Sequence, residues 1–184
     1  MSLNPLRGGV ALVTGAASGI GASLAAALAK RSCNLALADL NQNGLIEVAA
    51  RVAKFGVAVS THVLDVADAD AVAALPREVQ SHHDRLTILV NNAGVALNGR
   101  FDQVSLADFK LLMDINFWGV VHMTKAFLPI LQRERASNIV NISSLFGIVA
   151  APGQAAYCSS KFAVRGFSES LRQELAPVTS PIVV

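Results

Sequence analysis

Residues 14–21 read Thr14-Gly-Ala-Ala-Ser-Gly-Ile-Gly21 and separate an apolar run at 10–14 from an alanine-rich stretch. The run has the length of a buried strand, and the stretch that follows has the composition of a helix. In such a unit Gly15 allows a tight turn, Gly19 lets a phosphate approach the backbone, and Gly21 permits close helix packing. The helix amino terminus offers N–H groups and partial positive charge to a pyrophosphate. The stretch predicts a dinucleotide site, with a simple turn as the alternative.

Strand-like and helix-like stretches alternate along the rest of the chain. This alternation predicts right-handed crossovers and a doubly wound parallel α/β sheet of the Rossmann type in a single domain, 1–184. The last residues, 181–184, resemble the start of another strand, so the sheet is expected to be cut short there. The predicted strands are 10–14, 35–39, 57–63, 86–91 and 138–143, and the predicted helices are 20–31, 42–55, 68–82, 105–133 and 155–175.

Composition narrows the class of protein. The 184 residues are 53% hydrophobic and 15% charged, which excludes disorder, and the net charge of +2 argues against nucleic acid as a partner. No apolar run approaches the roughly 18 residues of a membrane span. Cys33 and Cys158 show no metal-ligand spacing, so we expect no metal and a cytoplasmic protein. His82 and His83 close a predicted helix and are interpreted as surface residues.

An acidic residue ends the second predicted strand. Asp39 lies 18 residues after Gly21, where a carboxylate can accept hydrogen bonds from the adenosine ribose hydroxyls. The same carboxylate would repel the 2′-phosphate of NADP, so NAD is the expected cofactor and NADP the less favoured one. A helix cap is the alternative role for Asp39.

Tyr157, the one tyrosine of the sequence, precedes Lys161 by four residues. On a helix the two side chains share one face. A cation about 4 Å from the phenol favours the phenolate by about 4 kcal/mol at an effective dielectric of roughly 20. The pair is therefore a candidate for general acid-base catalysis, with an ordinary surface pair as the alternative.

Together these motifs resemble the short-chain dehydrogenase/reductase family over residues 9–175. The glycine turn has the spacing Gly-x-x-x-Gly-x-Gly, and Asn91-Asn-Ala-Gly94 follows the fourth strand. Asn116 lies in the long helix, and Ser143-Ser144 and Tyr157-x-x-x-Lys161 follow in order. The resemblance implies an oxidoreductase that transfers a hydride between NAD(H) and a secondary alcohol or ketone.

The resemblance also implies catalytic roles. Tyr157 would be the acid in carbonyl reduction and the base in alcohol oxidation, and Lys161 would promote its ionisation and bind the nicotinamide ribose. Ser144 would hold the substrate oxygen, because it lies 13 residues before Tyr157, whereas its rival Ser143 lies 14 before. Asn116 would anchor a water that links Lys161 to solvent; a buried structural asparagine is the alternative.

The cofactor-binding residues implied by the resemblance span the glycine turn and three strand ends. Asp65 and Val66 would border the adenine, although Asp65 could instead cap a helix. The family pairs the helices at 105–133 and 155–175 with those of a neighbouring subunit, so a homodimer or homotetramer is expected. The full predicted cofactor set is Gly15, Ser18, Gly19, Ile20, Gly21, Asp39, Asp65, Val66, Asn91, Ala93, Gly94, Tyr157 and Lys161.

Two function classes remain at this point. The first is the small-molecule alcohol/ketone oxidoreductase, whose substrate pocket would be apolar through Val95, Phe146 and Val149. The second is a sensor or partner-binding module that binds the dinucleotide without turnover. A binding module has no need of a phenol beside a lysine, which favours the enzyme.

Overall fold

A computed structural model describes residues 6–175 and 182–184. In these ranges, six parallel strands form one sheet in the order β3-β2-β1-β4-β5-β6. This arrangement confirms the predicted doubly wound α/β fold. The strands are β1 (Val10–Thr14), β2 (Asn34–Asp39), β3 (Val59–Val63), β4 (Ile88–Asn91), β5 (Ser137–Asn141) and β6 (Ile182–Val183).

Within the described residues, six α-helices connect and cover the strands. The predicted helix at 105–133 consists of two α-helices joined by a five-residue π-helical segment, 114–118. Pro76 does not interrupt the third helix. No helix within the described ranges is long and apolar enough to cross a membrane. The helices are α1 (Gly19–Ala29), α2 (Gln42–Ala53), α3 (Ala69–His82), α4 (Leu106–Met113), α5 (Gly119–Leu131) and α6 (Ala155–Leu175).

Alternate residues of each inner strand enter two cores, one on each face of the sheet. On β1, Ala11 and Val13 pack with α1 and α2, whereas Val10 and Leu12 pack with α3 and α5. Phe127 of α5 is fully buried in the second core. Because both faces of the sheet are covered, the functional groups gather at its edge.

The strand order reverses beside β1, which pairs with β2 on one side and β4 on the other. In open α/β sheets, ligands bind outside the carboxyl ends of the strands at such a switch point. The turns that follow β1 and β4 both begin there. The sixth strand pairs in parallel with β5, from Ser137 opposite Ile182; Pro181, which was expected to begin this strand, lies outside the described residues.

Candidate active site

The glycine turn after β1 takes the form expected from its sequence. Gly15 and Gly19 have φ values of +63° and +52°, which other residues adopt only at a cost. A Cβ on Gly21 would lie 2.1 Å from the carbonyl oxygen of Gly15, so no larger residue fits. A Cβ on Gly19 would meet no atom within 4 Å, which leaves room for a ligand. Ser18 precedes α1 without a side-chain cap bond, so its hydroxyl does not cover the first-turn N–H groups.

A cavity of about 400 Å³ opens beside this turn. Its wall joins the turn to the ends of β2, β3 and β4 and to the π-helical segment. Nine of the predicted cofactor residues line it, namely Gly15, Ser18, Gly19, Ile20, Asp39, Asp65, Val66, Ala93 and Gly94. Six further lining residues were not in the predicted cofactor set, although Val95 was expected in the substrate pocket. They are Ala38, Leu40, Leu64, Asn92, Val95 and Ile115.

Thr14 and Asn92 tie the end of β1 to the end of β4. The Thr14 hydroxyl oxygen accepts hydrogen bonds from the backbone N–H groups of Asn92 and Ala93, both at 3.0 Å. In return, Asn92 Nδ2 donates to the carbonyls of Thr14 (2.9 Å) and Gly15 (3.2 Å). Asn92 is therefore the asparagine that holds the glycine turn in place.

Asn91, by contrast, does not line the cavity, contrary to its predicted place in the nucleotide crevice. Its Nδ2 donates to Asn141 Oδ1 at 2.8 Å and to Thr124 Oγ1 at 3.2 Å. Its side chain is directed toward β5 and α5 because successive residues of a strand point in opposite directions. Asn141 Nδ2 continues the chain of bonds to Ser168 of α6 at 2.8 Å.

The two acidic residues on the cavity wall are both held by backbone N–H groups. Asp39 accepts from Ala17 of the glycine turn at 3.0 Å and from Asn41 at 2.9 Å. Asp65 accepts from Ala67 at 2.9 Å. Neither residue is the N-cap of a helix, because Asn41 caps α2 and Asp68 caps α3.

The two serines after β5, Ser143 and Ser144, form different hydrogen bonds. Ser143 Oγ donates to the backbone carbonyl of Lys161 at 3.3 Å. Ser144 Oγ accepts from the N–H of Phe146 at 3.2 Å and begins a 3-10 turn, Leu145–Gly147. The hydrogen of the Ser144 hydroxyl is therefore available for an acceptor. This difference favours Ser144, the predicted choice, as the group that faces a substrate.

Tyr157 and Lys161 lie one turn apart on α6, as the spacing predicted. Lys161 Nζ lies 5.7 Å from the centroid of the Tyr157 ring and donates to the carbonyl of Ile142 at 2.9 Å. The lysine is 5% exposed, and burial lowers its pKa because the charged form loses hydration. The Phe146 ring meets the Tyr157 ring edge to face, with centroids 6.2 Å apart.

Asn116 is fully buried in the π-helical segment. Its Oδ1 accepts from Val95 N at 2.8 Å, and its Nδ2 donates to Val95 O at 2.9 Å and to Ser160 Oγ at 3.2 Å. Both amide donors are thus used, and one lone pair of the oxygen is left for a water. The bonds fix the loop after β4, as a structural asparagine would, and the water-anchoring role stays a prediction.

A second polar cluster, the histidine cluster, lies on β3 and at the end of α3. The Ser60 hydroxyl contacts Nε2 of His62 at 2.8 Å and Nε2 of His83 at 2.9 Å, and His62 Nδ1 contacts Glu78 at 3.4 Å. Burial lowers the pKa of both imidazoles. His83 is 6% exposed, so its interpretation as a surface residue is wrong. No group of three or more metal-ligating side chains occurs among the residues that the structure describes.

The fold is of the Rossmann type, with a cavity at its switch point and with Ser144 on a turn packed against the helix that carries Tyr157 and Lys161. Residues 9–184 match the family model described as short chain dehydrogenase. The chain belongs to this family, which confirms the resemblance that its motifs predicted. It is 44% identical over 182 residues to the "Putative oxidoreductase SadH" of Mycobacterium tuberculosis, covering 99% of this chain and 66% of the relative.

Solved structures agree with this assignment. A short-chain dehydrogenase/reductase from Burkholderia phymatum in complex with NAD superposes with a TM-score of 0.94 at 30% identity, covering 98% of this chain and 64% of that one. NAD⁺-bound xylitol dehydrogenase gives a TM-score of 0.92 at 32% identity, covering 98% and 69%. The chain thus spans about two thirds of the length of each of these three relatives.

Proposed function

We propose that the protein is an NAD(H)-dependent oxidoreductase that interconverts a secondary alcohol and a ketone. The observation that supports this proposal best is the position of Lys161, whose Nζ would lie 3.7 Å from a Cβ on Gly94 of the cavity wall. Ser144 lies on a turn packed against α6, and α6 carries both Tyr157 and Lys161. A protein that only bound a dinucleotide would have no use for this set.

The cavity has the features that a nicotinamide dinucleotide needs. The backbone at Gly19 is open to a pyrophosphate, and the first turn of α1 offers N–H groups and the positive end of the helix dipole. The Asp39 carboxylate on the wall would accept the ribose hydroxyls, and it would repel the 2′-phosphate of NADP. The two NAD-bound structural relatives support the same preference.

When bound, the cofactor supplies the hydride, and the protein supplies orientation and the proton. The Ser144 hydroxyl, whose oxygen is already bonded to Phe146 N–H, donates to the substrate oxygen and stabilises its developing negative charge. Tyr157 delivers the proton to that oxygen in reduction and removes it in oxidation. Lys161 places an ammonium group 5.7 Å from the centroid of the Tyr157 ring, beside the site of proton transfer.

The substrate is expected to be apolar around its carbonyl group. Val95, Leu145, Ile148 and Val149 are all more than 40% exposed near the serine turn and the loop after β4. Exposed apolar side chains gathered at a site mark a surface that a ligand covers.

A homodimer or homotetramer through α4, α5 and α6 is part of the proposal. Leu106 and Leu111 of α4, Trp118 of the π-helical segment and Phe162 of α6 are between 42% and 82% exposed. Such residues are expected at a subunit interface rather than in water.

The Tyr157→Phe variant tests the catalytic assignment. We expect turnover of a ketone such as 2-octanone with NADH to fall by at least a hundredfold, while the Kd for NADH stays within about twofold, because the hydroxyl serves proton transfer. NADH fluorescence measures the binding. Equal turnover in the variant and the original protein would contradict the assignment, and NADH binding without turnover in both would favour the non-catalytic binder.

A further inference from the structure

Phe146 stands between the two groups that the proposed function places on the substrate oxygen. Its backbone N–H bonds to Ser144 Oγ at 3.2 Å, and its ring meets that of Tyr157 at an interplanar angle of 87°. Edge-to-face contact is a favoured geometry for two aromatic rings. The residue therefore touches one group through its backbone and the other through its side chain.

The turn that carries Phe146 is itself anchored to α6. Ser143 on its amino-terminal side donates to the Lys161 carbonyl. Gly147 on its other side packs so closely that a Cβ would lie 2.6 Å from Ser143 Oγ and 2.8 Å from the Lys161 carbonyl oxygen. The backbone that carries the Phe146 ring is therefore fixed on both sides of the residue.

Tyr157 needs such support because its side chain is only half-buried. A catalytic side chain works only when packing holds it close to its productive geometry. We propose that Phe146 is a positioning residue that orients the Ser144 hydroxyl through its N–H and holds the Tyr157 ring through its own ring. This inference rests on the proposed function for its catalytic consequence, whereas the positioning itself can be measured without a substrate.

The nuclear magnetic resonance signals of the tyrosine ring measure this positioning, since Tyr157 is the one tyrosine of the sequence. In protein labelled with ¹³C-tyrosine, the ring resonances report on Tyr157 without assignment work. We expect a nuclear Overhauser effect between the two rings in the original protein. In Phe146→Ala the order parameter of the Tyr157 ring should fall, and ring flips should become faster.

The control is Leu145→Ala, which removes an apolar side chain from the same turn at a position that is 67% exposed. It should leave the Tyr157 resonances and order parameter unchanged. Phe146→Trp keeps an aromatic ring at a half-buried position and should restore most of the order. An unchanged Tyr157 order parameter in Phe146→Ala would overturn the proposal, whether or not the protein turns over a ketone.

Steady-state kinetics with 2-octanone and NADH test whether the positioning by Phe146 matters for catalysis. The energy typical of one aromatic pair corresponds to a loss in kcat of about twofold to tenfold in Phe146→Ala, with KM nearly constant and a displaced pH profile. A raised KM with constant kcat would instead make Phe146 a substrate contact and overturn its positioning role. If no ketone is reduced by the original protein, the proposed function fails while the resonance experiment still decides the positioning.

Discussion

Replacement of Thr14 by valine tests how the glycine turn is held. Valine has nearly the shape of threonine, so the change removes one hydroxyl and leaves the packing of a side chain that is 1% exposed. The hydroxyl oxygen accepts from the N–H groups of Asn92 and Ala93. The variant would leave these two N–H groups without this acceptor in a partly buried environment.

The magnitude follows from these two contacts. Each buried donor left unsatisfied costs about 1–3 kcal/mol, so the pair costs about 2–6 kcal/mol. The added methyl group offsets about 0.8 kcal/mol. The expected loss in the free energy of unfolding is thus about 1–5 kcal/mol. With a urea m-value of about 2 kcal/mol/M, a loss of 3 kcal/mol lowers the unfolding midpoint by roughly 1.5 M.

Urea titrations followed by circular dichroism measure this loss, with Thr124→Val as the matched control. The Thr124 hydroxyl is equally buried but accepts one bond, from Asn91 Nδ2, which keeps its second bond to Asn141. The control should lose less stability than Thr14→Val. An equal or larger loss in the control would refute the reasoning. Since Thr14 positions the turn, its variant should also bind NADH more weakly, and Thr124→Val should not.

Three shorter predictions concern other parts of the molecule. Gly21→Ala should abolish NADH binding in a fluorescence titration because its Cβ would meet the Gly15 carbonyl, whereas Gly19→Ala should fold with a modest loss of stability. Asp39→Ala should reduce the preference for NADH over NADPH, measured as the ratio of the two Kd values; an unchanged ratio would exclude the carboxylate as its cause. The histidine cluster should destabilise the fold in acid. Burial lowers both of its imidazole pKa values below the unfolded value near 6.5, so stability is fully present above that pH and declines as the pH falls below it. When His62 and His83 are both replaced by glutamine, the melting temperature should fall less as the pH is lowered. An unchanged dependence of the melting temperature on pH would show that other groups cause the acid sensitivity.

Much of the fold was predictable because parallel strands buried on both faces are nearly continuous in apolar residues. The predicted strand at 10–14 agrees with β1 residue for residue. The predicted strand bounds were less accurate at the edge of the sheet. The strand predicted at 57–63 begins at Val59, and its residues alternate between buried and exposed, because β3 is an edge strand with one open face.

The long helix shows what periodicity does not reveal. An apolar stripe through 105–133 predicts one regular helix, and the structure interrupts it with a π-helical segment around Asn116. The Asn116 amide forms a two-bond ring with the backbone of Val95, which lies 21 residues earlier in a loop. No local sequence pattern encodes a partner at that sequence separation. The position of the π-helical segment therefore could not be predicted from the sequence of the helix itself.

The two asparagines after β4 show the same limit at the site. Alternation along a strand requires Asn91 and Asn92 to point in opposite directions, but identical neighbours do not say which one faces the ligand. The hydroxyl of Thr14 decides between them, because it bonds the N–H of Asn92 and brings that amide over the Thr14 and Gly15 carbonyls. Asn91 then faces Thr124 and Asn141. Side-chain direction at the switch point is thus a property of the pairing between β1 and β4, and it becomes visible only when the two strands are placed side by side.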